Sequence, residues 1–285
     1  MKDEAVSVPA SLKGALTELA GGRVVPLAGG TDLLVRLHDC IEEPWPRLLV
    51  LERLKTLKKI STAGRRVTLG PLVTFSAVER SAVLRRVAPQ LVQAASVASS
   101  TQIRSRATVG GNLANASPAG ELIPPLFVLS ARIVISSLRG RRSVAIDDFF
   151  KGPGLTVLKR SELITAVQFE SSRGHGFYLR LAARRAMAIS KVSVAADLAI
   201  RRGRVSAIKI ALGAVAPTVI RAPQTEDFLC GRVLDGDSIA RASELVMAEA
   251  RPIDDIRSLA DYRRAMVGVL LRRGLYGILE GRVGK

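Results

Sequence analysis

Two short stretches set glycine pairs beside residues that begin helices. In LAGGTDLL, the residues Leu27, Ala28, Gly29, Gly30, Thr31 and Asp32 follow an apolar run and lead into a helix-like pattern. TVGGN repeats the idea with Thr108, Val109, Gly110, Gly111 and Asn112. A turn of this kind exposes main-chain N–H groups, and the missing Cβ atoms leave room for an anion to reach them. A pyrophosphate held by a nest of backbone amides is the chemistry this spacing suggests. Thr31 and Asp32 are suited to capping the helix that follows. No GxGxxG is present and no lysine follows the glycines, so neither a Rossmann fingerprint nor a Walker A loop applies. A nucleotide cofactor gripped by two separate glycine loops is the arrangement left to consider. Taken singly, each pair is also explained as a plain turn, and Arg104 and Arg106 upstream of the second are equally readable as surface charges.

Other chemistries are poorly provided for. The chain has two cysteines, Cys40 and Cys230, with no CxxC, and two distant histidines, His38 and His175. That is too few ligands for an intrinsic iron–sulfur cluster or a four-thiolate zinc site, so no metal site is expected. Buried free thiols are expected, with a Cys40–Cys230 disulfide as the alternative. No nucleophile–base pair or convergent acids stand out, so no catalytic residue is assigned.

The formal charge of +18 has three readings: nucleic-acid binding, docking on an acidic partner, or compositional bias. Ten of the 43 basic residues are Lys, and they are scattered along the chain rather than gathered in a tail. Aromatics are 4%, and no nucleic-acid-binding motif stands out, which argues against the first reading. The acidic, non-apolar start MKDEAVSVPASLKGAL lacks the pattern of a signal peptide, and no apolar run reaches the ~20 residues of a membrane helix. A cytoplasmic location is expected.

The elements that must position the glycine pairs follow from periodicity. VVPLA (24–28) and RLLVLERL (47–54) read as strands flanking the helix TDLLVRLHD, and LVQAASVAS (91–99) as a helix of small residues. From 132 onward strands dominate, and the segment 192–215 is an antiparallel hairpin around a polar glycine turn. Asp237 or Ser238 is placed to cap a helix with Ile239, Ala242, Leu245 and Val246 on one face. In the last helix the stripe Tyr262, Met266, Val269 and Leu270 reads as core. The polar SSRGHG (171–176) marks a boundary, so the chain is expected to divide into residues 1–171 and 172–285.

LAGGTDLL together with QIRSRATVGGNLANASPAGELIPPLFVLSARIVI resembles the FAD-binding medium subunit of the molybdenum hydroxylases, the xanthine dehydrogenase and carbon monoxide dehydrogenase family. The similarity runs on through DDFFKGPGLTVLKRSELITAVQF, FYLRLAARRAMAISKVSVAADLAI and RPIDDIRSLADYRRAMVGVLLRRGL. The resemblance implies an α+β chain. A two-subdomain FAD-binding fold of the vanillyl-alcohol oxidase (PCMH) type, with subdomains of about 1–57 and 58–171, would be followed by a smaller α+β domain with an antiparallel sheet and C-terminal helices. It implies one non-covalent FAD held by the two glycine loops. It also implies a small partner subunit with [2Fe–2S] clusters and a large one with the molybdenum cofactor, in a heterotrimer. Electrons would reach FAD from the clusters and leave for an external acceptor.

Carried over by position, Leu27 to Asp32 and Thr108 to Asn112 would line the phosphates, and Glu121 stands where relatives have Asp near the adenosine ribose. Ile164 falls near the flavin, and Arg180 replaces a Lys of relatives. Ala188 replaces an Asp, which puts NAD as acceptor in doubt, and Ser190 and Lys191 also depart from the pattern. The rival readings are a stand-alone flavin oxidoreductase of the same fold, and a basic nucleic-acid- or protein-binding chain that has lost FAD.

Overall fold

The computed structural model describes residues 5–22, 24–39, 46–172, 174–184 and 186–282. Cys40 lies outside the described residues, and so does any pairing it makes.

The chain opens with three short parallel strands. These are β1 (Val6–Ser7), β2 (Val24–Leu27) and β3 (Arg47–Val50), in the order β1-β3-β2. Helix α1 (Leu12–Ala20) connects the first two and α2 (Leu33–Asp39) the second pair, as parallel pairing requires. Ser11 caps α1 by accepting from the Gly14 amide at 3.1 Å. Ala15, Leu16 and Leu19 of that helix meet Leu49, Leu51, Leu54 and Leu57 in a small core, joined by Leu72 and Leu163 from further along the chain.

A second unit begins with β4 (Ile60–Ala63) and β5 (Arg66–Leu69) and continues through six short helices. They are α3 (Phe75–Arg80), α4 (Ala82–Val87), α5 (Pro89–Val97), α6 (Thr101–Arg106), α7 (Val109–Asn115) and α8 (Ile123–Val128). Then come β6 (Arg132–Ser137), β7 (Gly140–Ala145), α9 (Ile146–Phe149), the ribbon of β8 (Phe150–Gly152) and β9 (Leu155–Thr156), and β10 (Leu163–Glu170). The sheet is antiparallel in the order β4-β5-β10-β6-β7, with a bulge in β10 between Ile164 and Ala166. Val67, Leu69, Ile133, Ile135 and Val167 meet helix residues such as Leu91, Leu113 and Leu126 in the main core. Each fully buried side chain of this size contributes about 1.5–3 kcal/mol.

The final part is a sheet of β11 (His175–Ala182), β12 (Ser190–Arg201), β13 (Arg204–Gly213) and β14 (Ile220–Arg221), all antiparallel. It is followed by α10 (Pro223–Leu229), α11 (Gly236–Glu249) and α12 (Ala260–Leu279). Both faces of this sheet are covered. Phe177, Val192, Val194, Ala196, Leu198, Ile210 and Leu212 pack with α10, α11 and α12, whereas Tyr178, Ala195 and Ala211 belong to the main core with residues of α5 and α8. Side chains alternate along a strand, so adjacent residues of one strand serve two cores. The main core therefore draws residues from both sides of the polar 171–176 segment.

Three local expectations change. Helix α11 is capped by Asp235, not Asp237 or Ser238, in a reciprocal box: Asp235 Oδ1 accepts from the Ser238 amide at 2.8 Å and Ser238 Oγ from the Asp235 amide at 3.0 Å. In α12 the buried face carries Arg263, Val267, Leu270, Leu271 and Leu275, while Tyr262 is exposed. Arg263 can be buried because Asp255 pairs with it, and this turns the inward stripe by one residue. Cys230 is exposed rather than buried, with its thiol 4.0 Å from the Ser206 carbonyl. No helix among the described residues is long and apolar enough to cross a membrane.

Candidate cofactor site

The two glycine segments meet, although nearly eighty residues separate them in the chain. Gly29 lies so close to the end of α6 that a Cβ there would sit 2.1 Å from the Arg106 carbonyl oxygen. Its bareness serves this backbone-to-backbone contact, a correction to the idea that it clears the way for an anion. Gly30 has φ +78°, a left-handed conformation that a side chain resists. Asn115 of α7 donates from Nδ2 to Asp32 Oδ1 at 3.1 Å and so ties the segments together again.

Their backbones differ in what is left to bind. No hydrogen bond from the amides of Gly29, Gly30, Thr31 or Asp32 is present among the described residues. The second segment is not a loop but the first turn of α7, capped by Thr108, whose Oγ1 accepts from the Gly111 amide at 3.0 Å. Its other leading amides are also engaged: Val109 donates to the Val73 carbonyl at 2.9 Å and Gly110 to the Pro71 carbonyl at 2.8 Å. A Cβ on Gly110 would lie 2.6 Å from Pro71 Cβ.

A cavity of about 950 Å³ opens over this junction. Of the residues singled out in the sequence, Leu27 to Asp32, Thr108, Gly110, Gly111, Asn112, Glu121 and Ile164 line it. Val109 does not; it is fully buried in the main core. Arg180 is absent from the lining as well, with its side chain 6% exposed and Nη1 2.9 Å from Glu121 Oε1. Arg180, carried over as a cofactor-binding position, thus stands behind the lining and pairs with Glu121, which is part of it. Burial pushes the Glu121 carboxyl above its usual range, and the Arg180 charge opposes that rise. Removing one partner of a pair buried this deeply costs about 3–5 kcal/mol.

The sequence reading passed over several lining residues. Ser117 to Gly120 form the turn before Glu121, and the exposed Met187 and Ile189 flank half-buried Ala188, a position the sequence had already singled out, in a largely apolar rim. The Ala188 carbonyl accepts from Arg180 Nη1 at 3.0 Å. Arg263 lines the cavity from the C-terminal helix, donating to the Ala214 carbonyl and to Asp255 Oδ1. That hydrogen bond holds the Asp255 carboxyl below its usual range. The one signal for Arg263 was a basic residue shortly after the paired acids of RPIDDIRS. Arg104 also lines the cavity and pairs with Glu79 at 3.0 Å, whereas Arg106 is an exposed surface charge.

These features fit FAD. The volume lies at the upper end of the roughly 300–1,000 Å³ typical of cofactor sites. The unpaired amides of Gly29 to Asp32 are donors for a phosphate. Asn112 Oδ1 is buried on the lining without a partner among the described residues, an acceptor awaiting a donor. Among those residues no three His, Cys, Asp or Glu gather as a metal site.

Comparison with known proteins agrees with this reading. Residues 2–169 match the family described as the FAD binding domain in molybdopterin dehydrogenase, and residues 177–278 match the CO dehydrogenase flavoprotein C-terminal domain. The nicotine 6-hydroxylase medium subunit of Paenarthrobacter nicotinovorans is 33% identical over 247 residues, covering 87% of each chain. The glyceraldehyde dehydrogenase medium chain of Sulfolobus acidocaldarius is 31% identical over 261 residues, 91% of this chain and 92% of that one. A chain of the carbon monoxide dehydrogenase of Hydrogenophaga pseudoflava, solved without the Mo-pyranopterin moiety of its molybdenum cofactor, superposes with a TM-score of 0.91 at 28% identity. That superposition covers 98% of this chain and 97% of the other. The chain belongs to the FAD-binding medium subunits of the molybdenum hydroxylases, oxidoreductases of the xanthine and CO dehydrogenase type.

Proposed function

We propose that this chain is the electron-transferring FAD subunit of a molybdenum hydroxylase. It would take electrons from the [2Fe–2S] clusters of a small partner subunit and pass them to an external acceptor. The large partner subunit would hold the molybdenum cofactor and carry out hydroxylation. The observation that carries the reading is the cavity itself, with unpaired amides on one segment and a buried carboxylate, Glu121, on another. Bound FAD would supply the electron chemistry. This chain's residues bind and orient it. The amides of Gly29 to Asp32 meet its phosphates, Thr108, Gly110, Gly111 and Asn112 shape the wall beside them, and Glu121 accepts from a hydroxyl. Ile164, 7% exposed on β10, offers an apolar surface that excludes water. We place the protein in the cytoplasm and set nucleic acid aside as a partner.

The visible spectrum of the purified full-length chain, with its released cofactor identified after heating, tests the proposal. A flavin spectrum with free FAD in the supernatant is expected. A colourless chain that takes up no added FAD, alone or co-expressed with its partner subunits, would overturn it.

A further inference from the structure

The two oxygens of Glu121 have unlike surroundings. Oε1 accepts from Arg180 Nη1 at 2.9 Å and lies 3.5 Å from Ser190 Oγ. No hydrogen bond to Oε2 is present among the described residues, and the residue lines the cavity. Arg180 reaches two ways from β11. The same Nη1 that holds Glu121 also donates to the Ala188 carbonyl at 3.0 Å, in the rim between β11 and β12. An ammonium on a shorter stem lacks the planar fork that makes such shared contacts geometrically defined.

We infer that Arg180 is a positioning residue that does not touch the cofactor. It clamps Glu121 through Oε1 and the Met187–Ile189 rim through the Ala188 carbonyl, leaving Glu121 Oε2 as the acceptor presented to a hydroxyl of bound FAD. This rests on the FAD reading above. The two departures seen in the sequence, Glu for Asp and Arg for Lys, are then one matched unit. The longer acid is held by the longer, forked cation. The same clamp joins cofactor binding to the shape of the exposed rim, because one guanidinium nitrogen serves both.

Among the described residues, the charged and titratable groups that act on Glu121 are Arg180 and the Tyr178 phenol, both on β11, with the Ser190 hydroxyl at the start of β12. Burial favours the protonated carboxyl, and the Arg180 charge works against it. Without Arg180, burial is opposed only by hydrogen bonds from Ser190 and the backbone, so Glu121 stays protonated to higher pH.

The test is FAD affinity of the full-length apoprotein, followed by flavin fluorescence from about pH 5.5 to about pH 9. The variants are Arg180→Met, Arg180→Lys, Glu121→Gln and the double variant Glu121→Gln with Arg180→Met. The Met variant is expected to bind FAD about tenfold more weakly near neutrality, because one charge-assisted contact loses its anchor. Its affinity should recover as pH rises and Glu121 ionises. The Lys variant should fall between it and the parent. Glu121→Gln should make affinity insensitive to pH, and adding Arg180→Met to it should cost nothing further. The double variant carries no unpaired buried ion, so it separates lost positioning from lost folding. A Met variant with the parent's pH profile, or losses that add in the double variant, would overturn the inference while leaving the FAD reading standing. A parent chain that binds no FAD at any pH would overturn both.

Discussion

The two glycine segments look alike in sequence and differ in what their glycines do. In the first, the amides from Gly29 to Asp32 have no partner among the described residues, and the backbone bends through a left-handed Gly30. In the second, Thr108 and the turn at 71–73 after β5 have already satisfied the leading amides of α7. One segment is built to donate and the other to pack. A glycine pair therefore does not by itself announce an anion site; what matters is whether the neighbouring chain has used the amides.

Substitutions ranked by what each Cβ would meet sharpen that contrast. Gly29→Ala should have the largest effect, about 3 kcal/mol in urea unfolding together with loss of FAD, since its methyl meets a main-chain carbonyl that cannot swing away. Gly110→Ala comes next, at about 2 kcal/mol, because its methyl meets the rigid Pro71 ring at Cβ and the Pro71 carbonyl behind it. Gly30→Ala should cost about 1–2 kcal/mol from its left-handed φ, and it should lower FAD affinity further than that stability loss alone explains. The smallest effect belongs to Gly111→Ala, within about 0.5 kcal/mol. Helix propensity gained in the first turn of α7 offsets a close approach of 3.0 Å to Thr108 Oγ1. Should Gly111→Ala release FAD as fully as Gly30→Ala, the division of labour drawn here is wrong.

A milder test concerns the cavity's far wall. Asp255 has its folded pKa depressed by Arg263, so the stability it contributes is present above its unfolded value and lost as pH falls through the folded one. Asp255→Asn should therefore be less stable than the parent at neutral pH. The gap should close below about pH 4, as thermal melts across that range would show.

Much of this was readable from residue order. The period-2 runs on either side of Gly203 form the β12–β13 hairpin, and the apolar run before Gly29 is β2. The two glycine segments and Glu121 do line one cavity. The rest depended on chain partners that no local pattern reveals. Gly29 is bare because of the Arg106 carbonyl, and Arg180 stands behind the cavity wall, bonded to Glu121 and to the Ala188 carbonyl. The α12 stripe was right at Leu270 and Met266 but wrong at Tyr262, because a buried Arg is invisible to hydrophobic periodicity until Asp255 is found beside it. The α11 cap was displaced by a reciprocal box that starts before the first glycine of the helix.

The sheet of β11 to β14 gives Tyr178, Ala195 and Ala211 to one core and their immediate neighbours Phe177, Val194, Ala196 and Ile210 to another. Its strands cannot unravel without opening both, so the two halves of the chain should melt as one cooperative unit. A cut at the 171–172 link would yield fragments that each expose a raw apolar face, prone to aggregate rather than to fold. For an FAD carrier this makes cofactor retention and global stability rise and fall together.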